Sequence, residues 1–91
     1  MPEIMVRVEV GDFNTWLRTH RANAENRLAF GMVDGPIYRD IGNPNAVLVH
    51  THAEDLERAG QWFQTDAFKE ASRQSTAVGR EFYIAHKQGT S

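Results

Sequence analysis

The side chains able to move a proton or hold a charge next to apolar surface are few in this sequence, and His20 is the first of them. It recurs with Phe13, Trp16, Leu17, Ala24 and Leu28 at the three- and four-residue spacing of one helix face. Desolvation on such a stripe favours the neutral imidazole and makes it a general base near neutral pH. The same position also suits a core histidine bonded to a backbone carbonyl. Arg39 alternates with Ile37 and Ile41, so its guanidinium shares a strand face with apolar groups. There it can stabilise an enolate or phenolate oxygen, pair with Glu9 or Asp40, or reach out to water. His50 and His52 project from one strand face with Leu48. They supply two zinc ligands without an evident third, so no metal is expected, and His50 is read as a pocket or dimer-face residue. Trp16, Trp62 and Tyr83 each offer a flat face with a polar tip, which suits the walls of a planar-ligand site, and Phe63 adds apolar surface.

These residues need elements to position them. Residues 3–10 alternate, with Ile4, Val6, Val8 and Val10 against Met5, Arg7 and Glu9, as a half-buried strand does. Asp12 caps a helix that runs to about Gly31, a plausible left-handed terminator. Gly35-Pro36 turns the chain into a short strand at 37–41, and the turn Gly42-Asn43-Pro44-Asn45 leads to a partner at 46–52, which predicts an antiparallel hairpin. A second helix begins near Glu54 with Leu56, Ala59, Gly60 and Phe63 on its stripe. Phe68 and Ala71 are out of phase with that stripe. A restart with Thr65 as internal N-cap would return them to the core. Gly79 is expected to end this helix, with a last strand at 80–86 and a frayed tail at 88–91.

The order is βαββαβ. It predicts an α+β fold, a ferredoxin-like four-stranded antiparallel sheet with both helices on one face, in a single domain spanning 1–91. The other face would show Met5, Leu48 and their neighbours, an apolar patch that a homodimer pairing sheet against sheet would cover. A chain of 91 residues with no cysteine has no disulfides and only a small core, so self-association is its expected support. A net charge of −2 gives no long-range attraction for nucleic acid or anionic membrane. The acid at Glu3 does not suit a signal peptide, and no segment approaches the roughly 20 apolar residues of a membrane span, so a cytoplasmic location is expected.

Three chemistries of this topology fail on specific residues. The loop Val10-Gly11-Asp12-Phe13 has an acid where an acylphosphatase carries a phosphate-binding arginine. The candidate central strands show Val6, Val8, Val47 and Val49 where an RNA-recognition domain needs exposed aromatics. Heavy-metal-binding domains need paired cysteines. Over about its whole length the sequence is instead similar to the dimeric α+β barrel superfamily, especially its antibiotic-biosynthesis-monooxygenase-like and small polyketide-cyclase branches. The similarity rests on Asp12-Phe13-Asn14-Thr15-Trp16-Leu17, Tyr38-Arg39-Asp40, Glu54-Asp55-Leu56-Glu57-Arg58-Ala59 and Trp62-Phe63-Gln64-Thr65-Asp66-Ala67-Phe68-Lys69. Haem-degrading relatives use an asparagine on the first strand, and residues 4–10 contain none.

The resemblance implies a site for a flat, apolar molecule between sheet and helices, working without metal, flavin or other cofactor. On that reading His20 removes a proton from an acidic C–H or a phenol O–H. Arg39 and Tyr83 stabilise the resulting oxyanion, and Trp16, Trp62, His50 and Phe63 hold a small hydrophobic or aromatic, polyketide-like substrate. Oxygenation and ring closure both remain open as the next step. The competing reading is a non-catalytic ligand-binding or assembly protein built on the same dimer.

Overall fold

The computed structural model describes residues 2–89 of the chain. Met1 and the end of the expected tail, Thr90 and Ser91, lie outside the described residues. The elements run β1 (Glu3–Val10), α1 (Phe13–Ala22), α2 (Ala24–Ala29), β2 (Met32–Arg39), β3 (Ala46–Ala53), α3 (Leu56–Trp62), α4 (Asp66–Gln74) and β4 (Ala77–Ala85). All neighbouring strands are antiparallel, in the order β2-β3-β1-β4, which is the ferredoxin-like arrangement the element order predicts.

Period-two alternation decides which face of the sheet meets the helices. Ile4, Val8 and Val10 of β1, with Val47, Val49 and Ala53 of β3, are buried beneath them. One core cluster joins Ile4, Met32 and Ala53 to Ala59 and Trp62 of α3, and the other joins Val8, Val47 and Val49 to Trp16 of α1. The intervening residues, Met5, Arg7, Leu48, His50 and His52, point to the opposite face. There Met5 stands opposite both His50 and Tyr83 in the register, and Val33 and Tyr38 are about half exposed.

Three of the four helices, α1, α3 and α4, start where a short polar side chain satisfies a free backbone N–H. Asp12 accepts from the Thr15 N–H at 3.0 Å, Asp55 from Arg58 at 3.1 Å and Thr65 from Phe68 at 3.1 Å. The Thr65 cap is the expected internal restart, and Phe68 does rejoin the core beside Trp62.

Four boundaries differ from the sequence expectation, each for a local reason. The first helix breaks at Asn23, whose side-chain amide donates to the Thr19 carbonyl at 2.9 Å. The break turns the next segment, so that Arg27 is buried and Leu28 is 64% exposed. β2 starts at Met32, five residues earlier than the expected 37. Gly35-Pro36 is a bulge inside that strand, where the register shifts between Asp34 and Ile37. A Cβ on Gly35 would meet His50 at 3.2 Å, so the close approach of β3 asks for glycine there. At its far end β2 stops at Arg39, and Ile41 stands fully exposed in the turn instead of sharing a face with it. α4 ends at Gln74, and Thr76, with φ 66°, reverses the chain into β4 from Ala77. Gly79 is therefore a strand residue paired with Glu9 and not the helix terminator.

Candidate functional site

Between the helix-facing side of the sheet and helices α1 and α4 lies a cavity of about 90 Å³. Its floor is sheet: Val6, Val8, Val49 and Thr51 of the two central strands, with Arg80 and Phe82 of β4. Trp16, Thr19 and His20 of α1 form one wall, and Phe63, Phe68, Ala71 and Ser72 another. The lining is mostly aromatic and aliphatic with a few polar groups directed inward, which is the usual make-up of a small-molecule site.

His20 reaches this cavity because it lies one helical turn beyond Trp16, and the two rings stack with centroids 5.0 Å apart and planes 15° from parallel. Its pKa is pushed down to about 4, by burial first and by the Arg27 charge second, with Asp34 acting in the opposite direction. The imidazole is therefore neutral at physiological pH, with a lone pair available as a proton acceptor.

Two guanidinium groups face the same space. Arg27, 6% exposed, is held by Asp34 in a two-bond fork, Nε to Oδ1 and Nη2 to Oδ2 both at 2.8 Å. The hydrogen bonds from Arg27 keep the Asp34 carboxyl below the usual carboxylate range, so this pair is internally neutral. Arg80 has different company. Its Nη1 donates to the Ser72 hydroxyl at 2.6 Å, and its guanidinium carbon sits 5.1 Å from the centre of the Phe68 ring. Burial lowers its pKa, and no carboxylate pairs with it among the described residues. The lining thus holds one compensated and one uncompensated cation, with no acid among the described lining residues.

Of the candidate residues singled out in the sequence, His20, Trp16, Trp62 and Phe63 all line this cavity. Arg39, Tyr83 and His50 do not. Arg39 faces the helix side at the end of edge strand β2, where its Nε donates to the Pro44 carbonyl at 2.9 Å and its guanidinium lies 4.0 Å over the Phe13 ring. Tyr83 pairs with Met5 and so has the opposite parity to Arg80 and Phe82. On the open face its hydroxyl donates to Glu81 at 2.6 Å, a bond that raises the phenol pKa. His50 is on that face too, edge-on to Tyr38 at 6.0 Å, and His52 lies 3.5 Å from Glu3. Among the described residues no group of three His, Cys, Asp or Glu side chains is placed to hold a metal ion, and no helix is long and apolar enough to cross a membrane.

Sequence reasoning missed Arg80 and Arg27. Alternation puts Arg80 on one face with Phe82, but which face of β4 meets the helices is set by its register with β1. Arg27 was hidden by the unforeseen break at Asn23, which exchanged its place with Leu28.

The four-stranded antiparallel sheet with its helices on one face is a fold this chain shares with solved structures described as antibiotic biosynthesis monooxygenases. SnoaB from Streptomyces nogalater, described as a cofactor-independent oxygenase, superposes with a TM-score of 0.77 at 13% identity, covering 98% of this chain and 94% of that one. A provisional antibiotic biosynthesis monooxygenase from Bordetella bronchiseptica gives 0.80 at 12% identity over 94% and 95% of the two chains. A conserved protein from Methanosarcina mazei Go1 gives 0.73 at 18% identity over 96% and 92%. At these identities the likeness is one of fold. No family model matches the sequence, and no curated protein matches it.

Proposed function

We propose that the protein is a small-molecule enzyme that uses no bound cofactor and acts on an aromatic substrate held in the cavity under α1 and α4. The observation that carries this reading is the joint presence, in one largely apolar cavity, of a neutral imidazole, His20, and a guanidinium without a carboxylate partner, Arg80. His20 accepts a proton from a phenol O–H or an acidic C–H, and Arg80, not Arg39 or Tyr83, stabilises the oxyanion left behind. An imidazole with a pKa of about 4 is a weak base. A substrate oxyanion forming nearby favours the imidazolium, so the proton transfer becomes easier as the ion pair develops. The resulting electron-rich anion is the shared first intermediate of cofactor-free oxygenation, with dioxygen as co-substrate, and of aldol ring closure. The fold neighbour described as a cofactor-independent oxygenase supports the first of these.

The same reading includes a homodimer closed through the open sheet face, which would cover Met5, Leu48, Val33 and Tyr38. The test of activity is a panel of phenols and β-dicarbonyl compounds, followed by oxygen uptake and by solvent deuterium incorporation. His20→Phe and Arg80→Met should each lower turnover at least 100-fold. Turnover unchanged in both variants would overturn the assignment, and saturable binding with no turnover would favour the ligand-binding reading.

A further inference from the structure

The cavity is small for its composition. Pockets for drug-sized ligands run from about 300 Å³ upward, and an apolar cavity of about 150 Å³ suffices for benzene. About 90 Å³ under α1 and α4 is less than either figure, so no more than one ring fits inside it, and even that ring projects toward the open side. One wall of the cavity is shared with the surface. A shallow surface depression between α1 and α4 is lined by Arg18, Ala22, Glu70 and Gln74, and it shares Thr19, Asn23 and Ala71 with the cavity. Those three residues are thus the septum between solvent and the interior. The seam is lightly built, since α4 contributes no fully buried residue and Ala71 brings only a methyl group to it. The charge of the interior limits the ligand further. With Arg27 neutralised by Asp34 and Arg80 bonded only to a hydroxyl, a ligand oxygen able to carry negative charge completes the site, whereas a cationic ligand would meet an unscreened like charge.

We propose that the cavity takes a single-ring phenol or enol, which enters between α1 and α4 past Ala71 and binds with its acidic oxygen toward Arg80. This rests on the reading of the cavity as the site of an aromatic substrate and narrows it from polyketide-like frameworks to one ring. Trp16 and Trp62 line the cavity, so their fluorescence reports occupancy independently of any reaction.

The experiment titrates the full-length protein with resorcinol, 2-naphthol and anthrone, reading tryptophan fluorescence and, in parallel, oxygen uptake. Resorcinol should bind saturably and at least tenfold more tightly than anthrone. Ala71→Leu, which adds bulk at the septum, should slow resorcinol association at least tenfold with little change in melting temperature, and Arg80→Met should weaken resorcinol binding by a similar factor. If Ala71→Leu does not fold, Thr19→Val and the ligand series still test the size limit and the polar septum. Equal or tighter binding of anthrone, or no binding of resorcinol, overturns the proposal. Resorcinol bound and not turned over leaves the ligand class standing and removes the enzyme reading. Anthrone bound tightly and oxidised does the reverse.

Discussion

The imidazole of His20 lies flat against the indole of Trp16, with ring centroids 5.0 Å apart and an interplanar angle of 15°. The stack is part of the burial that, ahead of the Arg27 charge, pushes the imidazole pKa down to about 4. An ordinary histidine in the unfolded chain titrates near 6.5.

The first prediction follows from that difference. Between pH 6.5 and 4 the unfolded chain binds a proton at His20 that the folded chain refuses, so stability is full above pH 6.5 and is lost as pH falls toward 4. The loss amounts to about 2–3 kcal/mol at one pKa unit per 1.36 kcal/mol. Thermal unfolding from pH 7 to pH 4 should show this slope in the wild type and lose it in His20→Phe. An unchanged slope in the variant would place the acid sensitivity elsewhere.

A second prediction concerns the pair that sets the charge beside His20. Asp34→Asn leaves the Arg27 guanidinium, 6% exposed, without its carboxylate. Breaking a fully buried pair costs about 3–5 kcal/mol, but the Asp34 side chain is partly exposed, so about 2 kcal/mol is expected. The double variant Arg27→Met, Asp34→Asn removes the stranded charge and should recover part of that loss in urea unfolding. Equal stability of wild type and Asp34→Asn would show that solvent already screens the pair.

Much of this was legible beforehand, because period-two and period-3.6 patterns are written directly in side-chain polarity. The alternation of Ile4, Val6, Val8 and Val10 identified the buried face of β1, and the phase slip after Phe63 located the Thr65 cap. What failed to show were features that depend on partners distant in sequence. Gly35-Pro36 reads as a turn in isolation and becomes a bulge only because β3 runs alongside it. Arg39 looked like a pocket residue because its strand alternation is right, yet edge strand β2 carries it to Phe13 and Pro44, away from the cavity. The site was half legible for the same reason. The helix-borne His20, Trp16, Trp62 and Phe63 follow from local spacing, whereas the choice between Tyr83 and Arg80 turns on β4 parity, fixed by register with β1.

A third prediction tests the reversal that joins α4 to β4. Thr76 holds φ 66°, a left-handed conformation that costs a β-branched residue about 1–3 kcal/mol. Against that cost, its hydroxyl accepts from the Asp12 N–H at 3.0 Å and donates to the Asp12 carbonyl at 3.2 Å, tying the end of α4 to the start of α1. Thr76→Gly relieves the backbone and gives up both bonds, so its stability should fall within about 1 kcal/mol of wild type. Thr76→Val keeps the strain and loses both bonds, and should be about 1–2 kcal/mol less stable. Chemical denaturation of the two variants checks the order, and a Val variant as stable as wild type would show that the hydroxyl bridge contributes nothing.

The last prediction concerns the open sheet face. Leu48 stands opposite Arg7 in the β1–β3 register, and Arg7 in turn lies 3.2 Å from Glu9 and 4.0 Å from Glu81. A carboxylate introduced by Leu48→Glu therefore finds a counter-charge within its own protomer, and the folded monomer should lose no more than about 1 kcal/mol. In a two-fold dimer closed through this face the same carboxylate would be buried near its symmetry copy. That costs far more than an exposed ion pair returns. Sedimentation of the wild type at micromolar concentration should give a dimer, and Leu48→Glu a folded monomer with an unchanged circular dichroism spectrum. A wild type that is monomeric at that concentration, or a Leu48→Glu variant that remains dimeric, would remove this face as the interface.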